Sequence, residues 1–349
     1  MIGEIYEQPK ALAETLSESL SEARRIVEQL DLQNLGMVYF TGSGTSYHAC
    51  LAAYYALSSL TRIFASSLPA SEFPSWVRQA QRMENVLVAI SQSGESSDVM
   101  AAVDSATHSG MRVVGVTNTP QSSLAKSTGF HMISRAGPEK AVTATKSFTA
   151  TLAATYAFVL ELARASGAES QRYEELSSEL RKIPRQVEET LRLCDSRASS
   201  LASELKEKEF VFLLGSGPNY STALEGALKL KESCNLYAEG FATREFLHGP
   251  TQLVDYRTPV FIIRSQGEAE QAFYLAESFR RFGAPTVIVA GKNEAALPTG
   301  VMNLEVAPDV AEVFSPLIYV IPLQLHAYYS SVIRGLNPDR PEKLKKVVK

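Results

Sequence analysis

Cysteine is scarce in this 349-residue chain: Cys50, Cys194 and Cys234 are far apart and odd in number, with no CxxC spacing. That excludes a disulfide framework and a thiolate zinc site, and it fits a reducing, cytoplasmic setting. Histidine is nearly as rare, with five residues and no HxH or HxxxH pair to hold a metal. No metal and no cofactor are expected. No apolar run approaches the roughly 20 residues that span a bilayer. Met1 to Pro9 carries Glu4 and Glu7 and lacks an apolar core, so it does not read as a signal peptide. A net charge of −4 leaves no broad positive field for nucleic acid or an anionic membrane. A small anionic substrate must then be held by local devices.

The chain is longer than one core usually serves, and 45% of it is apolar, as in globular proteins. Met37–Phe40, Val86–Ile90 and Met111–Val116 read as strands, each followed by a loop and a helical pattern, with a long helix over Thr143–Ala165. From Glu169 to Lys208 the chain is charged and helical in period, with Pro184 as an interruption. Strands then recur at Phe210–Leu214, Val260–Ile263 and Pro285–Ala290. Gly42 maps onto Gly215 and Ser91 onto Ser265 at one offset to within a residue, which signals internal duplication. The expected fold class is α/β: two tandem, doubly wound, flavodoxin-like domains with mostly parallel sheets. The expected division is a helical segment over 1–34, domains over 35–168 and 209–334, helical connection over 169–208, and a tail over 335–349 that closes the active site.

Ligands of open parallel sheets bind beyond the carboxyl ends of the strands. Two hydroxyl-rich loops fall there, Thr41–Ser46 and Ser91–Ser96. Each opens a helix whose leading N–H groups and positive dipole end attract an anion. Neither contains Lys or Arg, and no Gly-Lys-Ser/Thr follows a strand, so a monophosphate suits them better than a nucleoside triphosphate. Ordinary helix caps are the plainer explanation for one such loop, and two together favour phosphate. In the second half Gly215-Ser216-Gly217-Pro218 has lost most hydroxyls and one amide donor. Glu225, Lys229 and Glu232 share one helix face at i, i+4 and i+7, a spacing that by itself favours an ordinary exposed Glu–Lys pair. His248, before Gly249-Pro250, sits in a turn and can shuttle protons near neutral pH.

These motifs resemble the SIS (sugar isomerase) double-domain family. More closely, they are similar to the isomerase half of glucosamine-6-phosphate synthase and to the SIS-type glucosamine-6-phosphate deaminases. The ordered matches include Gly44-Thr45-Ser46-Tyr47, Ala70-Ser71-Glu72-Phe73, Ser91 to Ser96, Ala144 to Phe148, Ala223 to Glu232, Glu245 to Pro250 and Leu344-Lys345-Lys346-Val347. The resemblance implies that Thr45, Ser46, Ser91, Gln92, Ser93 and Ser96 contact a sugar phosphate. It implies that Glu232 moves a proton between C1 and C2, that His248 opens the sugar ring from the neighbouring subunit of a homodimer, and that Lys346 forms a Schiff base. Glu225, Lys229 and Val142 line the pocket on the same footing. Ser43 and Ser96 depart from the synthase, which has cysteine and threonine there.

The chain starts at the isomerase-type helix, with Ile2 where a glutaminase would carry its terminal cysteine. Deamination of glucosamine 6-phosphate to fructose 6-phosphate and ammonia is therefore the activity the resemblance favours. The alternatives are an aminotransferase-like isomerase without a glutaminase domain, a fructosamine-6-phosphate deglycase, and a non-enzymatic sugar-phosphate sensor.

Overall fold

The computed structural model describes residues 1–77, 84–264, 269–292 and 297–347. The loop Ser265 to Glu268, one landmark of the duplication, lies outside the described residues. In chain order the elements are α1 (Ile2–Tyr6), α2 (Gln8–Val27), β1 (Leu35–Gly42), α3 (Thr45–Leu60), β2 (Phe64–Pro69), α4 (Phe73–Trp76), β3 (Glu84–Ile90) and α5 (Ser97–His108). They continue with β4 (Arg112–Thr117), α6 (Ser123–Ser127), β5 (Phe130–Ile133), α7 (Lys146–Ala165) and α8 (Ser170–Glu204). The second half holds β6 (Phe210–Gly215), α9 (Pro218–Cys234), β7 (Tyr237–Ala242), α10 (Thr243–Phe246), β8 (Val260–Ile263), α11 (Ala269–Arg281), β9 (Thr286–Gly291), β10 (Met302–Val306) and α12 (Ser315–Ile333).

The chain forms two compact units. One comprises 7–139, 146–184 and 345–349; the other comprises 1–6, 140–145 and 185–344. In the first, the strands lie in the order β2-β1-β3-β4-β5, all parallel. In the second, the order is β10-β9-β8-β6-β7, again parallel. Numbered within its own half, each sheet runs 2-1-3-4-5, the flavodoxin-like winding. The inner strands are continuous apolar runs, such as Val86–Ile90 and Val260–Ile263, because helices cover both faces. In the first unit α7 is buried along nearly its whole length and packs against α2 and α3. In the second, α12 packs against α9.

Four strands were not evident in the sequence: β2, β5, β7 and β10. All four are sheet edges. An edge strand is half exposed, so FASSLP and YAEGFA carry no long apolar run to betray them. Pro184 also departs from expectation. It does not interrupt the helix but lies inside α8. Buried Leu176, Leu180, Ile183, Val187, Leu191, Cys194, Ala198 and Leu201 form one continuous stripe, which sustains helical period across the missing N–H. The three cysteines are free, buried thiols.

Gly42 and Gly215 end the first strand of each half, where the following helix turns back onto the strand. A Cβ on Gly42 would stand 2.9 Å from the Ser46 backbone carbon, and one on Gly215 only 2.1 Å from the Asn219 carbonyl oxygen. Gly215→Ala should therefore cost about 2–3 kcal/mol and Gly42→Ala about 1 kcal/mol, read as lowered denaturation midpoints. Equal costs would contradict this geometry.

His326 on α12 is buried with its ring 5.1 Å from that of Phe261. Burial drives its pKa down to about 4, with the Arg334 charge adding to it. An unfolded chain would bind this proton near pH 6.5. The stabilisation is therefore complete above pH 6.5 and falls away as pH drops towards 4, by about 3 kcal/mol. His326→Gln should flatten the acid limb of thermal stability against pH; an unchanged limb would exclude this source.

Candidate active site

In the first unit, β1 and β3 pair directly, with Thr41 opposite Ala89. The chain leaves β1 for β2 on one side and then crosses to β3 on the other, so the switch point of the sheet lies between β1 and β3. Thr45 and Ser46 open α3 just beyond β1, and Ser91, Gln92, Ser93 and Ser96 follow β3. The structure thus places both hydroxyl loops at adjacent strand ends. Gly44 precedes α3 with φ +54° and cannot cap it by a side chain; Ser96 precedes α5 and makes no capping bond either. The second loop is held in shape by its own atoms. The Gly94 N–H donates to the Ser91 hydroxyl at 3.0 Å, and the Glu95 N–H donates to the Ser93 hydroxyl at 3.2 Å. Gly94 sits at φ +67°, and a Cβ there would collide with the Ser122 hydroxyl at 2.2 Å.

Lys346 is also in this unit. Its Nζ donates to Glu139 Oε2 at 2.8 Å. Glu139 in turn accepts from the Ser147 N–H and hydroxyl at the start of α7. The sequence reading missed Glu139; an acid a few residues before a helix start was the available signal.

The second unit carries the carboxylates. On α9, Lys229 Nζ lies 3.1 Å from Glu225 Oε1 and 2.7 Å from Glu232 Oε2. The side chains of Glu225 and Lys229 have no exposed surface, whereas Glu232 retains 21%. This corrects the reading of the spacing as an exposed ion pair: the shared face points inward. Burial by itself pushes the Lys229 ammonium down, but Glu225 and Glu232 outweigh it and raise its pKa above the ordinary lysine value. Lys229 therefore stays charged, Glu225 serves as its buried counterion, and Glu232 stands at the rim. A cavity of about 510 Å³ opens there, lined by Glu232, Lys231, Asn337 and Arg340 among others. The Val142 N–H donates to the Asp339 carbonyl at 3.0 Å, which ties the Val142 segment to the one that follows α12. His248 is exposed in the turn after α10 and does not line that cavity. Among the described residues no cluster could hold a metal ion, and no helix is long and apolar enough to cross a membrane.

Lys229→Met would remove the ammonium that Glu225 and Glu232 share on the buried side of α9. It should cost about 3–5 kcal/mol in denaturant titrations, against within about 0.5 kcal/mol for exposed Lys231→Met on the same helix. A small loss at Lys229 would mean that the cluster is not buried as described.

Comparison with known proteins agrees with this architecture. The SIS domain model matches twice, over residues 31–161 and 204–334. The chain is 35% identical over its whole length to glutamine–fructose-6-phosphate aminotransferase [isomerizing] of Thermococcus kodakarensis, covering 57% of that protein. It is 37% identical to the protein of the same name from Gloeobacter violaceus, covering 58%. It therefore spans a little over half the length of the curated relatives it matches. Among solved structures, the C-terminal domain of glucosamine-fructose-6-phosphate aminotransferase from Francisella tularensis superposes with a TM-score of 0.90 and 28% identity, covering 98% of each chain. With two matched domains and two flavodoxin-like sheets, the chain belongs to the SIS domain family.

Proposed function

We propose that this chain binds a hexose or hexosamine 6-phosphate and interconverts its aldose and ketose forms, in the manner of the isomerising half of a glutamine–fructose-6-phosphate aminotransferase. The observation that carries this reading is Glu232: of the two carboxylates on Lys229, it is the one that reaches open space. The relatives named above support the substrate class.

In this reading Thr45, Ser46, Ser91, Gln92, Ser93 and Ser96 hold the phosphate by hydroxyl and backbone donors at two helix starts. That remote grip contributes binding energy to orientation. Glu232 removes a proton from the carbon beside a carbonyl or iminium and returns it to the neighbouring carbon. Lys346 supplies the iminium by condensing with the open ketose. His248 opens the ring. Its exposure suits service to a second copy of the chain, so the active form is a homodimer, and an active monomer in sedimentation would refute that assignment.

Deamination of glucosamine 6-phosphate is the second reading. It rests on the likeness of Arg135–Val142 and the Leu-Lys-Lys-Val tail to the SIS-type deaminases, and the named relatives favour the aminotransferase type over it. Both readings place the same base at the same carbon atoms. Two assays on one preparation separate them: glucose 6-phosphate formed from fructose 6-phosphate, and ammonia released from glucosamine 6-phosphate. The proposal expects the first; ammonia release in addition would establish the deaminase. Glu232→Gln should lower either rate by about 10²–10⁴-fold. Binding of fructose 6-phosphate with neither reaction would overturn the isomerase reading and favour a sensor.

A further inference from the structure

In the first unit Lys346 is linked to the hydroxyl loop after β3 by hydrogen bonds and the short backbone stretch from Gly137 to Glu139. The Asn118 N–H donates to the Gln92 carbonyl at 3.0 Å. The Asn118 side chain then fixes the segment after β5: its Nδ2 donates to the Gly137 carbonyl at 2.8 Å, and its Oδ1 accepts from the Ala136 N–H at 2.7 Å and the Ser134 hydroxyl at 3.2 Å. Two residues on, Glu139 accepts from the Ser147 N–H at 3.1 Å and the Ser147 hydroxyl at 2.6 Å. Its Oε2 meets Lys346 Nζ at 2.8 Å.

The asymmetry of this pair is informative. The Glu139 side chain has no exposed surface, while Lys346 keeps 27%. The carboxylate is the fixed member, held by the first turn of α7, and the amine in front of it remains partly exposed. Lysine has several rotatable bonds, and ordering it costs appreciable entropy. An amine that must attack one carbonyl gains from having that ordering done in advance.

We infer that Glu139 is the positioning residue for Lys346, and that Asn118 sets its place relative to the loop Ser91–Ser96. The inference rests on the reading of Lys346 as the imine-forming residue. In that step the Lys346 ammonium gives up one proton to water and its amine adds to the ketose carbonyl carbon; the carbinolamine hydroxyl then takes up a proton and leaves as water, and the iminium carries the charge the ammonium had. Borohydride delivers hydride to the iminium carbon and fixes the sugar to Nζ as a secondary amine.

The test uses the purified full chain, fructose 6-phosphate as probe and borohydride as trap, with the adduct mapped by peptide mass. Wild type should carry the adduct on Lys346. Glu139→Gln can still accept from Ser147 but has lost its charge. It should trap about tenfold more slowly, with kcat lowered in step and KM within about twofold of wild type. A Glu139 that merely supported the fold would lower thermal stability without slowing trapping well below the transition. Glu139→Asp keeps the charge but withdraws it by one methylene; it should trap at an intermediate rate, and it carries the test if the Gln variant does not fold. Trapping at the wild-type rate in either folded variant overturns the inference and leaves the isomerase reading standing. No adduct on wild-type Lys346 overturns the imine role and this inference together.

Discussion

One buried ammonium shared between two carboxylates sets the terms for the second unit. Glu225 and Glu232 both face the buried Lys229 ammonium from the same side of α9, as helical spacing allows. The helix must also sit close to its neighbours. A Cβ on Gly226 would approach Leu323 to 2.6 Å and Leu213 to 2.8 Å, and one on Gly240 would approach the Leu224 N at 2.6 Å. Such a cluster is a poor way to stabilise a fold, since apolar residues of similar volume usually do as well or better. Its place inside α9 makes chemical sense: Lys229 holds the Glu232 side chain in position at the edge of a cavity.

The parallel winding explains where the other chemistry stands. Every strand of a parallel sheet ends on the same side, so the loops after β1 and β3 meet at the switch point without any further device. The same winding in the second half did not keep the same loop. Pro218 replaces an amide donor, and the hydroxyls are reduced to Ser216. The duplicated scaffold was thus specialised, with hydroxyl donors concentrated in one unit and the carboxylate cluster in the other.

The inner strands were legible because burial on both faces forces unbroken apolar runs, and β8 was bounded correctly from the sequence alone. The edges β2, β5, β7 and β10 were not, since half-exposed backbone pairs without apolar runs. Pro184 misled because a local rule, the missing N–H, was outweighed by an apolar stripe that continues on both sides of it. The hydroxyl loops could be read from residue types and their place after strands. Glu225–Lys229–Glu232 could not be told from a surface pair by spacing, because burial is a tertiary property. Glu139 and Asn118 escaped notice altogether: each acts through partners distant in sequence, Ser147 and Lys346 for one and Gln92 and Gly137 for the other.

The central claim is that Glu232 moves a proton between adjacent carbons of a sugar phosphate. Fructose 6-phosphate carrying deuterium at C1, followed by NMR in ordinary water, tests it most directly. The account predicts that the wild-type protein moves the label from C1 to C2 or loses it to solvent, and that Glu232→Gln leaves it in place. A label that stays on C1 with the wild-type protein, under conditions where the sugar phosphate is bound, would contradict it.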